Sequence, residues 1–128
     1  MRITQQEALN SFGSDEIYLE KFIENPRHIE VQVIADNFGN ALHFFERDCS
    51  IQRKNQKIIE EAPAWDLNET KKEELFKLCI NCLKKMKYKG VGTFEFLYKD
   101  DEFYFIEMNT RLQLSLIHIS EPTRLTRI

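Results

Sequence analysis

Two glutamates stand inside apolar strand-like runs, and they constrain the chain more than any other feature. Gly90 to Arg111 reads as two strands, Gly90–Tyr98 and Phe103–Arg111, joined by the polar stretch Lys99-Asp100-Asp101-Glu102. Glu95 is flanked by Phe94 and Phe96, and Glu107 by Ile106 and Met108. A carboxylate buried among such neighbours needs a cationic partner. Glu107, Asn109 and Arg111 alternate, so on one strand they share a face. Opposed residues of an antiparallel pair also share a face. Glu95 and Glu107 therefore meet only if the pairing centres on Asp101, through a three- or five-residue connection. A two-residue turn at Asp100-Asp101 would set Glu95 opposite Ile106 and split the carboxylates between faces. Two carboxylates and an Asn carbonyl make an all-oxygen site suited to Mg²⁺ or Mn²⁺. The alternative from the residues alone is an edge hairpin with solvated glutamates.

The 128 residues carry a formal charge of −3, which gives no general attraction for nucleic acid or anionic lipid. No apolar run is long enough to span a bilayer, and no secretory core opens the sequence, so the cytoplasm is expected. The three cysteines, Cys49, Cys79 and Cys82, show no disulfide framework. Cys79 and Cys82 form a C-x-x-C, but at helical spacing within an apolar stripe, and read as small core residues.

Along the chain, Gln5–Phe12 reads as a polar helix ended by Gly13. Ile17–Ile23 reads as a strand, broken by Asn25-Pro26. His28–Ala35 alternates like a half-buried strand and returns through Asp36–Asn40 as Ala41–Arg47. Ser50–Lys57 is crowded with long polar donors: an anion-binding strand or loop, or a solvated charge run. His28 could contact a ribose or phosphate, or be an edge residue. Asn68–Tyr88 is the clearest helix, with Asp66 or Asn68 as N-cap and Gly90 ending it. Leu75, Cys79, Cys82, Leu83 and Met86 form its apolar stripe. The fold class expected is α+β, with antiparallel strands and hairpins and one long helix.

Four stretches in order carry a resemblance: Tyr18 to Val33, Glu46 to Lys57, Glu60 to Pro63, and Gly92 through Arg111. They resemble the biotin carboxylase branch of the ATP-grasp family. The match runs from about Ala8 to Gln113, so residues 1–113 are expected to form part of an ATP-grasp domain. The resemblance implies ATP-driven activation of bicarbonate as carboxyphosphate and carboxylation of biotin on a carrier protein. It implies biotin carboxyl carrier protein and carboxyltransferase subunits as partners, and a homodimer for the full-length enzyme. It gives Glu95, Glu107 and Asn109 the divalent ion, Lys57 the bicarbonate, and Arg111 both bicarbonate and the biotin enolate. Glu20, Lys21 and Ile23 would line the adenine pocket, with Leu97 packed on the base. His28, Gln52 and Asn55 would sit near the ribose.

The sequence departs from the family in three places. Asn55 stands where histidine is common. The glycine-rich phosphate loop and the upstream ATP lysines are expected before Met1. After Gln113 the family continues Val-Glu-His-Pro, and Ser115 takes the place of that glutamate, the family's base for bicarbonate. Leu114–Arg124 resembles a translation of transposase-type adapter DNA, and Leu114–Ile128 is expected to be a non-native tail, so His118 and Arg124 carry no functional reading. The chain alone is expected to be inactive.

Overall fold

The computed structural model describes residues 2–111. The readings of Ser115 and of residues 114–128 lie outside them. Two helices and a four-stranded antiparallel sheet make up most of the described chain, as the α+β expectation requires.

Helix α1, Arg2–Phe12, buries none of its residues. Gly13 ends it at φ +74°, donating its N–H to the Leu9 carbonyl at 3.0 Å. The strand expected at Ile17–Ile23 does not form: this segment is irregular. Tyr18, Leu19 and Phe22 are more than four-fifths exposed. A strand is stable only when its N–H and C=O groups pair with a neighbour, and among the described residues this one has no sheet partner.

The sheet runs in the order β2-β1-β5-β6, with β1 Arg27–Ala35, β2 Ala41–Asp48, β5 Gly90–Lys99 and β6 Glu102–Asn109. The β1–β2 hairpin turns on Asp36, whose carboxylate accepts from the N–H groups of Phe38 at 2.8 Å and Asn40 at 2.9 Å. A short hairpin, β3 Gln52–Arg53 and β4 Gln56–Lys57, turns on Lys54 and Asn55, both at positive φ. The Ser50–Lys57 run is thus a hairpin arm, with Lys54 exposed and Lys57 half-buried.

Helix α2, Glu69–Met86, starts on Asn68, whose side chain accepts from the Lys71 N–H at 3.2 Å. Its end differs from the expectation. Lys87 takes the left-handed conformation, and its N–H returns to the Leu83 and Lys84 carbonyls. Gly90, at φ +116°, already opens β5. Leu75, Phe76, Cys79 and Leu83 are buried against Val31, Val33, Ala35, Phe94 and Phe96. Phe76 was not in the expected stripe, whereas Met86 is half exposed. His43 stacks on Phe76 with ring centroids 4.2 Å apart. Burial raises the Cys79 thiol to about 12, so this C-x-x-C cysteine is a core residue without thiolate character.

The β5–β6 turn overturns one expectation and keeps its consequence. The connection has two residues, Asp100 and Asp101, at φ 52° and 60°, the pattern of a primed hairpin turn. Lys99 pairs with Glu102 and Phe96 with Phe105, which by strict counting would put Ile106 opposite Glu95. A register shift between Glu95 and Phe96 inserts the extra residue, and Glu95 pairs with Glu107 after all. Gly92 lies beyond this bulge; a Cβ there would sit 2.9 Å from Met108 Cε and 3.1 Å from the Asn109 carbonyl. The absence of a side chain lets β6 close on β5 beside Asn109.

Core burial on the α2 face sets a stability expectation. Leu83 is 1% exposed and Leu78, on the other side of the helix, is 59% exposed. Leu83→Ala should cost about 3 kcal/mol in urea unfolding, and Leu78→Ala less than about 0.5 kcal/mol.

Candidate functional site

The sheet face away from α2 is polar and yet buried. Alternation places His28, Glu30 and Gln32 of β1 on it, and pairing aligns them with Leu97, Glu95 and Thr93 of β5. Glu30 is 0%, Gln32 3% and Glu95 4% exposed, so the half-buried strand expected for β1 is buried on both faces. Such a face is tenable only if its charges are paired.

Glu30 has three cationic neighbours. Arg47 Nη2 lies 2.5 Å from Oε2, Lys57 Nζ forms an ion pair with Oε1, and His28 Nε2 is 3.4 Å from Oε1. Arg47 continues to Glu60 at 2.6 Å. With its carboxamide oxygen turned toward Arg47, Gln32 accepts from Nη2 at 2.8 Å. Glu95 has the cationic partners its burial demands: Lys57 Nζ at 2.8 Å on Oε1 and His28 Nε2 at 2.8 Å on Oε2. Asn109 Nδ2 donates to Glu95 Oε1 at 2.5 Å and to Glu107 Oε1 at 3.4 Å.

The electrostatics follow this geometry. For His28, burial disfavours the charged ring, but hydrogen bonds to Glu30 and Glu95 and the Glu95 charge outweigh it, raising the pKa to about 9. For Glu30, burial disfavours the carboxylate, but His28, Lys57 and Arg47 outweigh it, lowering the pKa to about 2. Glu95 is lowered and Lys57 raised by the same balance of burial against hydrogen bonds.

Of the residues expected at a site, the fold brings together Glu95, Glu107, Asn109, Lys57 and His28. Leu97 lies beside them, half-buried, paired with His28 on one side and Tyr104 on the other. Gln52 is turned to the Cys49 carbonyl at 2.9 Å, and Asn55 is exposed at its turn. Arg111 is exposed two residues beyond β6, so the alternation with Glu107 and Asn109 stops at Asn109. Glu20, Lys21 and Ile23 lie on the irregular segment before β1, and Lys21 Nζ rests 4.8 Å over the Tyr104 ring. Sequence reasoning missed Glu30, Gln32 and Arg47. The alternation of Glu30 and Gln32 in β1 was visible, but burial of that face depends on Lys57 and Glu60 arriving from a later segment.

Glu95, Glu107 and Asn109 fit a divalent cation: two carboxylates paired across β5 and β6, with the carboxamide two residues further along β6, bring hard oxygen donors together. The carboxamide presents its nitrogen to both acids here and would present its oxygen to a metal ion. His28, Glu30 and Glu95 form a second convergent set, with ligand atoms all within 4.8 Å of one another.

The network sets a pH profile. A histidine raised from 6.5 to about 9 stabilises the fold fully below pH 6.5 and loses that contribution as pH rises through 9. A glutamate lowered from 4.5 to about 2 contributes fully above pH 4.5 and loses it as pH falls through 2. Thermal melts should therefore decline between pH 6.5 and 9, and His28→Gln should flatten that limb and also shrink the acid limb, because His28 is one of the groups that hold the Glu30 pKa low.

The chain matches the family model for the carbamoyl-phosphate synthase L chain, ATP binding domain, over residues 1–123. It is 53% identical over 113 residues to the biotin carboxylase of Pseudomonas aeruginosa, covering 88% of this chain and 25% of that protein. It is 49% identical over 110 residues to the pyruvate carboxylase of Staphylococcus aureus, covering 86% of this chain and 10% of the other. Its structure resembles the Campylobacter jejuni biotin carboxylase–βγ-ATP complex, with a TM-score of 0.79 at 55% identity over 86% of this chain and 25% of that one. It also resembles the bicarbonate-bound biotin carboxylase domain of a thermophilic 2-oxoglutarate carboxylase, with a TM-score of 0.78 at 46% identity over 88% of this chain and 26% of that one. The chain spans about a quarter of the length of the biotin carboxylases it matches. It belongs to the carbamoyl-phosphate synthase L chain, ATP binding domain family, as a portion of the ATP-grasp domain found in biotin carboxylases.

Proposed function

We propose that residues 1–113 serve a biotin carboxylase, which transfers the ATP γ-phosphoryl group to bicarbonate and carries the resulting CO₂ unit to biotin on a carrier protein. The observation that carries this reading is the Glu95–Glu107 pair with Asn109 between the carboxylates and Lys57 on Glu95 at 2.8 Å. Acids that would hold a divalent cation, with an ammonium in contact, would supply the positive charge that an anionic phosphate and an anionic acceptor need to be drawn together.

Glu95, Glu107 and Asn109 would hold Mg²⁺ or Mn²⁺. When bound, that ion would neutralise charge on the transferring phosphoryl group. Lys57 would hold bicarbonate by charge, and Arg111 would add a planar fork that fits its oxygens and later faces the biotin enolate. Leu97 would pack on the adenine, with Glu20, Lys21 and Ile23 along the base edge and His28, Gln52 and Asn55 toward the ribose. Bicarbonate in the 2-oxoglutarate carboxylase domain and βγ-ATP in the Campylobacter protein are ligands of the same classes.

The partners proposed are biotin carboxyl carrier protein and carboxyltransferase subunits, with a homodimeric full-length enzyme. The product would feed malonyl-CoA and fatty acid synthesis. A second reading, the biotin carboxylase part of pyruvate carboxylase, is supported by 49% identity to that enzyme, and a carboxyltransferase domain on the same polypeptide would favour it. A non-catalytic nucleotide-binding role would predict no ATP cleavage by the full-length product. No described helix is long and apolar enough to cross a membrane. A cytoplasmic location is proposed.

In the full-length enzyme, Glu107→Gln should lower bicarbonate-dependent ATP cleavage by about 100-fold in a phosphate-release assay. Unchanged cleavage would reject the metal assignment. The 128-residue chain alone should show no bicarbonate-dependent ADP formation.

A further inference from the structure

The carboxylates of this site are shared, and the sharing has a direction. Lys57 Nζ contacts Oε1 of Glu95 and Oε1 of Glu30. Asn109 Nδ2 also bonds Oε1 of Glu95, and the same nitrogen reaches Glu107. Oε1 is therefore the Glu95 oxygen turned toward the Glu107 side, and an ammonium already holds it. Oε2 is held by His28. A divalent ion entering between Glu95 and Glu107 meets a fixed positive charge on the oxygen it needs. The repulsion between two cations is strong where solvent is excluded, and Glu95 is 4% exposed.

We propose that Lys57 and the divalent ion compete for Glu95 Oε1, so that metal binding releases the Lys57 ammonium from Glu95 and turns it to an incoming anion. Glu30 makes this an exchange and not an expulsion. It is fully buried and fixed by Arg47 at 2.5 Å, and it keeps its own contact with Lys57 when Glu95 lets go. The ammonium stays in the site with one carboxylate partner where it had two, and its free donors face whatever anion enters. By linkage the effect runs both ways: an anion that draws Lys57 off Glu95 tightens the metal, by the same factor that the metal tightens the anion. The inference rests on the metal and bicarbonate assignments proposed above and adds the coupling between them.

The test is Mn²⁺ binding to the purified full-length protein, read by the electron paramagnetic resonance signal of the free ion without nucleotide, so that no turnover is involved. Lys57→Met should tighten Mn²⁺ about fivefold or more, because the competing charge is gone, and Lys57→Arg should stay close to wild type. Saturating bicarbonate should tighten Mn²⁺ in the wild-type protein by a similar factor and have no effect in Lys57→Met; the wild-type measurement needs no variant to fold. If Glu95→Gln/Glu107→Gln abolishes Mn²⁺ binding while Lys57→Met and bicarbonate leave the affinity unchanged, the competition is overturned and the metal assignment stands. If the double variant binds Mn²⁺ as the wild type does, or the wild type binds none, the metal assignment fails and the coupling fails with it.

Discussion

Glu30 is fully buried, carries a negative charge, and is surrounded by Arg47, Lys57 and His28 from three different segments. The polar face of the sheet depends on that arrangement. Without these cations Glu30 would be an uncompensated carboxylate in a dry environment, which costs far more than an exposed ion pair is worth. The same constraint fixes geometry. Arg47 is brought by β2, His28 by β1 and Lys57 by the β3–β4 arm, so the charge network ties these pieces at one point. The α2 face holds the sheet by apolar burial, and the opposite face holds it by paired charge.

Placing Glu95 within this network decides what the site can do. Its carboxylate is held by Lys57, His28 and Asn109 and lies opposite Glu107 on the edge strand. Against the opposing effect of burial, its hydrogen bonds with His28 and Lys57 lower the Glu95 pKa and favour the ionised form that a metal site requires. Glu107 is exposed, so the pair joins a preorganised, buried acid to an accessible one. The bulge between Glu95 and Phe96 is what allows both this pairing and a tight turn.

Much of this was legible in the residues. Both glutamates in apolar runs raised the expectation of a cationic partner: Lys57 and His28 supply it for Glu95, whereas Glu107 lies exposed and meets the Asn109 amide. The β1–β2 hairpin and α2 were readable because alternation, turn chemistry and a capping Asn agree locally. Other features were not. Ile17–Ile23 has strand composition but no partner among the described residues, and composition cannot supply one. The bulge was hidden because counting along the hairpin assumes a regular ladder. Gly90 looked like the end of α2, yet Lys87 adopts the left-handed conformation despite its side chain.

The sequence by itself determined which residues could carry chemistry, because carboxylates set in apolar strands are costly unless they are used or paired. It also determined the periodicities of β1, β5 and α2, since these depend on near neighbours. The tertiary structure alone decided that β1 is buried on both faces, that Lys57 turns inward while Lys54 stays exposed, and that Glu30 is the acid around which the cations gather. Each of these depends on contacts between residues far apart in the chain, where burial and charge are settled by what arrives from elsewhere.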